Sequence, residues 1–101
     1  MKIVTRVPHP GQILRQKLQT LGVSISAAAR ALGLSRTHFS DVVNGHAGIS
    51  AGVALRLQLA IGGTAEEWMQ RQMDYELHLA RGQFLTISRQ VRKIKRDHDE
   101  R

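Results

Sequence analysis

Residues 24–45 read SISAAARALGLSRTHFSDVVNG, and the fold of the chain turns on this stretch. A serine precedes each of two short apolar periods, at Ser24 and Ser35, and a glycine follows each, at Gly33 and Gly45. Serine in that place caps a helix, because its oxygen accepts from an amide of the first turn. Glycine in that place ends one, because it tolerates a left-handed backbone. A helix-turn-helix needs a small residue where its two helices cross, a glycine four positions later for the turn, and apolar residues on the inner side of the second helix. Ala29, Gly33, and the pair Phe39 and Val42 meet those conditions. With Phe39 and Val42 turned inward, Arg36, Thr37, Ser40, Asp41 and Asn44 fall on the opposite face. A helix that only had to be soluble would more commonly carry Glu–Lys pairs there. This face is short, polar and rich in donors, as entry into a DNA major groove requires.

Outward from that window the apolar period stays helical. Pro10-Gly11 opens a first helix, with Leu14, Leu18 and Leu21 recurring along one side and Gly22 closing it. In the second, Ile25, Ala28, Ala29 and Leu32 form the inward stripe. Ser50 caps a fourth helix, with Val53, Leu57, Ala60 and Ile61 inward and Gly62-Gly63 after it. Thr64-Ala65-Glu66-Glu67 is a capping box, in which the threonine oxygen accepts from the third amide and Glu67 reaches back to the cap amide. The fifth helix carries Trp68, Met69, Met73 and Leu77 down one face. No strand pattern, repeat or linker interrupts the series, so the reading is an all-α, five-helix bundle. It assigns residues 1–81 to one helical domain and 82–101 to a basic C-terminal extension. Leu85, Ile87, Val91 and Ile94 suit a further helix there only if something covers them.

At 101 residues the chain is one domain, long enough to bury roughly 65% of the surface its unfolded form exposes. It has no cysteine, which excludes disulfides and thiolate metal sites and is compatible with a reducing compartment. The first residues, MKIVTRVPHPGQ, lack the apolar core of a signal peptide, and no apolar run is long enough to span a bilayer. The expectation is a cytoplasmic, nucleoid-associated protein with no membrane partner. Fifteen Lys and Arg against eight Asp and Glu give a net charge of +7, which favours a polyanionic partner. Residues 1–71 hold eight basic and three acidic side chains, and residues 72–101 hold seven and five. Five of the later bases fall between Arg89 and Arg96, a run that a solvated tail would also explain.

Each outer residue has chemistry available to it. Arg36 can fork onto guanine O6 and N7, Thr37 can offer its methyl to thymine or its hydroxyl to a base edge, and Asp41 can accept from cytosine N4. Ser40 is small enough to let the helix sit deep. Ser24, Ser26 and Ser35 lie at helix N-termini, where free amides and the helix dipole attract phosphate. His38, Asn44, Gly45 and His46 are placed to touch the backbone of the same groove. Plainer roles stand beside these. Ser24, Ser35 and Ser50 are first of all N-caps, Asp41 repels phosphate and could pair with Arg30 or Arg36, and Trp68, Met69 and Met73 read as core. His38, Asp41 and His46 match no ligand spacing, so no metal or cofactor is expected. His9, His78 and His98 form no nucleophile–base pair, and no catalytic constellation is present.

These motifs together carry a resemblance. His9-Pro10-Gly11 with Ile13-Leu14, the turn Leu32 to Thr37, Asn44-Gly45 followed by Gly48-Ile49-Ser50, Ala54 to Leu57, and Thr64 to Trp68 cover about two thirds of the chain. Over residues 9–77 it resembles the HigA family of antitoxins, the VapI-type antidote group, within the phage-repressor-like class of helix-turn-helix proteins. The resemblance implies a homodimer that binds a palindrome in the promoter of its own operon and neutralises a HigB-like toxin, a ribosome-dependent mRNA endonuclease. The family's base-reading positions correspond to Arg36, Thr37, Ser40 and Asp41, and its phosphate-contacting positions to Asn44 and its neighbours. The chain departs from the family pattern at Ala51-Gly52, where a Pro-Glu pair is usual, at Ala27 and Ala28, and at Asp41, where a base is frequent.

A homodimer is expected on physical grounds too. A lone recognition helix buries too little surface for a specific site, and two-fold proteins read half-sites roughly 34 Å apart. Met73, Leu77 and Leu85 exceed what a small core can cover, which places the interface there. Two other readings stay open on the sequence: a stand-alone regulator without a toxin, and a toxin-binding protein whose helix-turn-helix no longer grips DNA. The N-terminal arm Met1–Arg6 and the C-terminal segment are both open as toxin contacts.

Overall fold

A computed structural model describes residues 6–95. The first five residues of the N-terminal arm, Arg96 at the end of the basic run, and His98 lie outside the described residues. Among the described residues six helices follow one another: α1 (Pro10–Leu21), α2 (Ile25–Leu32), α3 (Arg36–Val43), α4 (Ala51–Ala60), α5 (Ala65–Arg81) and α6 (Phe84–Gln90). The all-helical class and the first five helices follow the sequence. The helix count is corrected by one, because the C-terminal extension forms α6.

Capping explains the boundaries. Ser24 accepts from the Ala27 amide at 3.1 Å, Ser35 from His38 at 3.1 Å and Ser50 from Val53 at 3.3 Å. Each bond satisfies a donor that the first helical turn cannot pair internally. Thr64 accepts from the Glu67 amide at 3.1 Å, as the capping box predicts. The reciprocal half differs: the Glu67 carboxylate takes the Thr64 hydroxyl at 3.1 Å instead of reaching the cap amide. Gly33 ends α2 at φ 72°, and the amide of Leu34 returns to the Ala29 carbonyl at 2.9 Å. That closure needs a left-handed residue, which a Cβ would strain.

The core consists of Leu14 and Leu18 from α1, Ala28, Ala29 and Leu32 from α2, Phe39, Val42 and Val43 from α3, Ile49, Val53, Ala54 and Leu57 around α4, and Trp68 from α5. Leucine- to phenylalanine-sized side chains buried this fully each contribute roughly 1.5–3 kcal/mol. At Gly11 the packing is tightest: a Cβ there would lie 2.4 Å from the carbonyl oxygens of both Val42 and Val43. The start of α1 thereby lies directly against the last turn of α3. Two glutamines join elements through backbone groups that packing would otherwise leave unpaired. Gln72 accepts from the Ile49 amide at 2.8 Å, and Gln58 from the Ala65 amide at 2.7 Å.

The predicted inward stripes need three corrections. Leu21 is 60% exposed, since it is the last residue of α1 and the core closes one turn earlier, at Leu18. Ala60 is exposed, and Ala54, fully buried, takes its place because α4 turns that side to α2 and α5. Met69, Met73 and Leu77 do not join Trp68 in the core; they are 38, 47 and 41% exposed. The side of α5 that packs on the chain continues from Trp68 through half-buried Arg71, Gln72 and Tyr75, and Met69, Met73 and Leu77 fall on another side of the helix. No residue of α6 is buried.

Candidate nucleic-acid interface

The outer face of α3 is presented by the elements behind it. Phe39, Val42 and Val43 anchor the helix to the core at 1% exposure or less, which fixes its rotation about its own axis. The turn before it is held from α4: the Arg56 guanidinium donates to the Leu32 carbonyl at 2.7 Å and packs where a Cβ on Gly33 would stand. Arg56 therefore serves the turn, a role its place on an ordinary amphipathic helix does not announce.

The predicted site residues form three groups on this face. At the N-terminal end, exposed Arg36 donates from Nε to the Ser26 hydroxyl oxygen at 2.7 Å, which links the first turns of α2 and α3. Both terminal nitrogens of the guanidinium remain for other partners. Thr37 and His38, the next two residues, are exposed. At the C-terminal end, half-buried Ser40 accepts from the Asn44 side-chain amide at 3.2 Å, and the Asn44 oxygen accepts from the Arg15 guanidinium. Arg15, Asn44 and Ser40 form a chain from α1 to α3. The third group is Asp41 with His46. The Asp41 carbonyl accepts from the amides of His46 at 2.8 Å and Ala47 at 3.1 Å, and its carboxylate lies 3.9 Å from His46 Nδ1. Among the described residues Asp41 pairs with neither Arg30 nor Arg36, and the expectation of such a pair is corrected. The backbone turn after α3 directs the Asp41 side chain toward His46 instead.

Ser24 and Ser35 are acceptors for their own caps, and each keeps its O–H for a further partner. Gly45 lies against the His9 ring, where a Cβ would approach within 3.1 Å. The predicted interface residues Met73 and Leu77 lie on α5 and Leu85 on α6, apart from the α3 face and 47, 41 and 68% exposed. Arg15 is the member of this surface that sequence reasoning missed. Its partner lies 29 residues away, and no local pattern on α1 distinguishes it from Gln16 or Lys17.

The same fold recurs in known proteins. No family model matches the chain. It is 41% identical over 73 residues to virulence-associated protein I of Dichelobacter nodosus, covering 71% of this chain and 68% of that protein. The antitoxin GraA superposes with a TM-score of 0.83 at 33% identity, over 88% of this chain and 98% of that one. An antitoxin HigA of Pseudomonas aeruginosa, solved with the higBA promoter, superposes with a TM-score of 0.80 at 35% identity, over 89% of this chain and 100% of that one. Identity above 30% across nearly the whole of two solved antitoxins, on a shared helix-turn-helix, shows that the chain belongs to the HigA family.

Proposed function

We propose that this chain is the antitoxin of a toxin–antitoxin pair: it binds operator DNA as a homodimer, represses its own operon, and neutralises a HigB-like mRNA endonuclease. The observation that carries the DNA-reading part is Arg36. It stands exposed at the start of α3, with its inner nitrogen engaged by Ser26 and its two outer nitrogens unengaged by Ser26. A guanidinium so presented matches the O6 and N7 acceptors of guanine, the most frequent specific contact in the major groove. A HigA of Pseudomonas aeruginosa solved with promoter DNA supports the same use of the same fold.

In this reading Thr37, Ser40 and Asp41 line the groove beside Arg36. Ser24, Ser26, Ser35, His38, Asn44, Gly45 and His46 meet the flanking phosphates. Arg15 joins them, because its contact with the Asn44 oxygen brings a full charge to the exit of α3. Residues 1–81 form the DNA-binding unit, 82–101 a basic extension, and Met73, Leu77 and Leu85 the dimer contact. Among the described residues no helix is long and apolar enough to cross a membrane.

The test begins with selection of a preferred site from a randomised duplex library by the full chain. Binding is then measured on that site and on its scrambled version at matched salt. Arg36→Ala should cost about 1–3 kcal/mol on the selected site and relax preference at one base pair per half-site. Arg30→Ala, on the outer side of α2, should lower both affinities evenly or leave them unchanged. An unchanged ratio for Arg36→Ala sinks the DNA-reading proposal. For the toxin, co-expression with the adjacent open reading frame and a pull-down decide whether a stable pair forms.

A further inference from the structure

We infer that Ser26 is a positioning residue for base reading: its hydroxyl selects which edge of the Arg36 guanidinium faces the groove. The inference rests on the DNA-reading role proposed for Arg36. An arginine can recognise an acceptor pair in two ways, side-on through Nε and one terminal nitrogen, or end-on through both terminal nitrogens. In this chain Nε is already committed, donating to Ser26 Oγ at 2.7 Å across the gap between α2 and α3. The side-on fork is thereby occupied on the protein side. The end-on fork is left pointing away from Ser26.

The surroundings single out this bond. Ser24 and Ser35 are both consumed as helix caps, each accepting from an amide three residues on. Ser26 is instead half-buried inside the first turn of α2, and its side chain reaches across to the next helix. Arginine carries more rotamer freedom than almost any side chain, and that freedom is lost on docking to a base. A hydroxyl that fixes the side chain before DNA arrives removes part of that loss from the binding step. It does so for the base contact alone. Diffuse attraction to phosphate needs the charge and not its orientation.

The serine-to-alanine change is suited to a test, because alanine is the better helix former and should leave the fold intact or slightly firmer. Binding of the full chain is measured on the selected site and on its scrambled version at matched salt. Ser26→Ala should reduce the selected-to-scrambled ratio about two- to tenfold. Ser26→Thr, which keeps the hydroxyl, should restore it. In the Arg36→Ala background Ser26→Ala should cause no further fall in the ratio, since in base reading the residue acts through the arginine and a phosphate contact weighs equally on both duplexes. Three results overturn the inference and leave the DNA-reading proposal standing: an undiminished ratio in Ser26→Ala while Arg36→Ala lowers it, an equal fall on both duplexes, or a threonine variant as weak as the alanine one. If Arg36→Ala itself leaves the ratio unchanged, the proposed reading fails and the inference fails with it.

Discussion

Leu14, Phe39, Leu57 and Trp68 are 1% exposed or less, whereas Met69, Met73 and Leu77, an apolar row on α5, are 38 to 47% exposed. Phe84 and Leu85 beyond them pass 60%. The two regions have similar helical periods and similar apolar content. They differ in what lies opposite. Helices α1 to α4 pack on one another, so each apolar face finds another. Helix α5 joins them through Trp68 and then through half-buried Arg71, Gln72 and Tyr75, with Gln72 bonded to the Ile49 amide and Tyr75 edge-on to His9. Met69, Met73 and Leu77 lie on another side of α5, where no described residue of the chain buries them. Periodicity identifies the apolar side of a helix; the connectivity of the other helices decides whether anything covers it.

The largest expected effect breaks the packed region at its closest approach. A methyl at position 11 would meet two backbone carbonyls at 2.4 Å, and backbone cannot rotate out of the way as a long side chain can. Gly11→Ala should therefore cost about 1–3 kcal/mol, seen as a lower midpoint in chemical denaturation. Because those carbonyls belong to the last turn of α3, the variant should also bind DNA less tightly while folded. A wild-type midpoint would show that α1 and α3 do not approach so closely.

A double change probes the bare region. Met73→Ser with Leu77→Ser removes apolar surface that is already about half in water, so each change should cost the isolated chain about 0.7–1.5 kcal/mol, half of what a fully buried side chain loses. If these residues meet a second copy, as proposed, the same change should weaken the dimer at least tenfold in sedimentation. Unchanged association would move the interface elsewhere and leave that face of α5 unexplained.

The contrast also shows how far the sequence could be read. The helix starts at Ser24, Ser35, Ser50 and Thr64 were legible because capping is a contact of three residues' reach, and the inward places of Phe39 and Val42 followed from the turn at Gly33. Ala54 and Ala60 were exchanged, since two alanines on one helix give no signal until neighbouring helices are placed. In the candidate site, Arg36 could be assigned to the outer face, yet its bond to Ser26 spans ten residues and depends on the angle at which α2 and α3 cross. The chain from Arg15 through Asn44 to Ser40 was invisible for the same reason. For Asp41 the sequence offered base reading or a pair with an arginine, because charge and face are legible in it; the backbone turn that brings His46 beside it is not.

The smallest expected effect on stability comes from removing residues 88–101. Residues 88–95 are all exposed, and the side-chain bonds of Ser88 and Arg92 go to carbonyls within three residues, so among the described residues the cut removes no buried packing. The unfolding free energy should stay within about 0.5 kcal/mol of the full chain. The segment nevertheless carries six Lys and Arg against three Asp and Glu. If it contributes diffuse attraction to phosphate, its loss should weaken binding to the selected and scrambled duplexes alike and flatten the dependence of affinity on salt, since fewer counterions are released. Leu85 remains in the shortened chain, so the dimer should persist. A fall confined to the selected site would overturn this reading, because diffuse charge cannot discriminate between duplexes of equal length and composition. The extension would then belong to the readout or to the geometry that spaces two copies of α3.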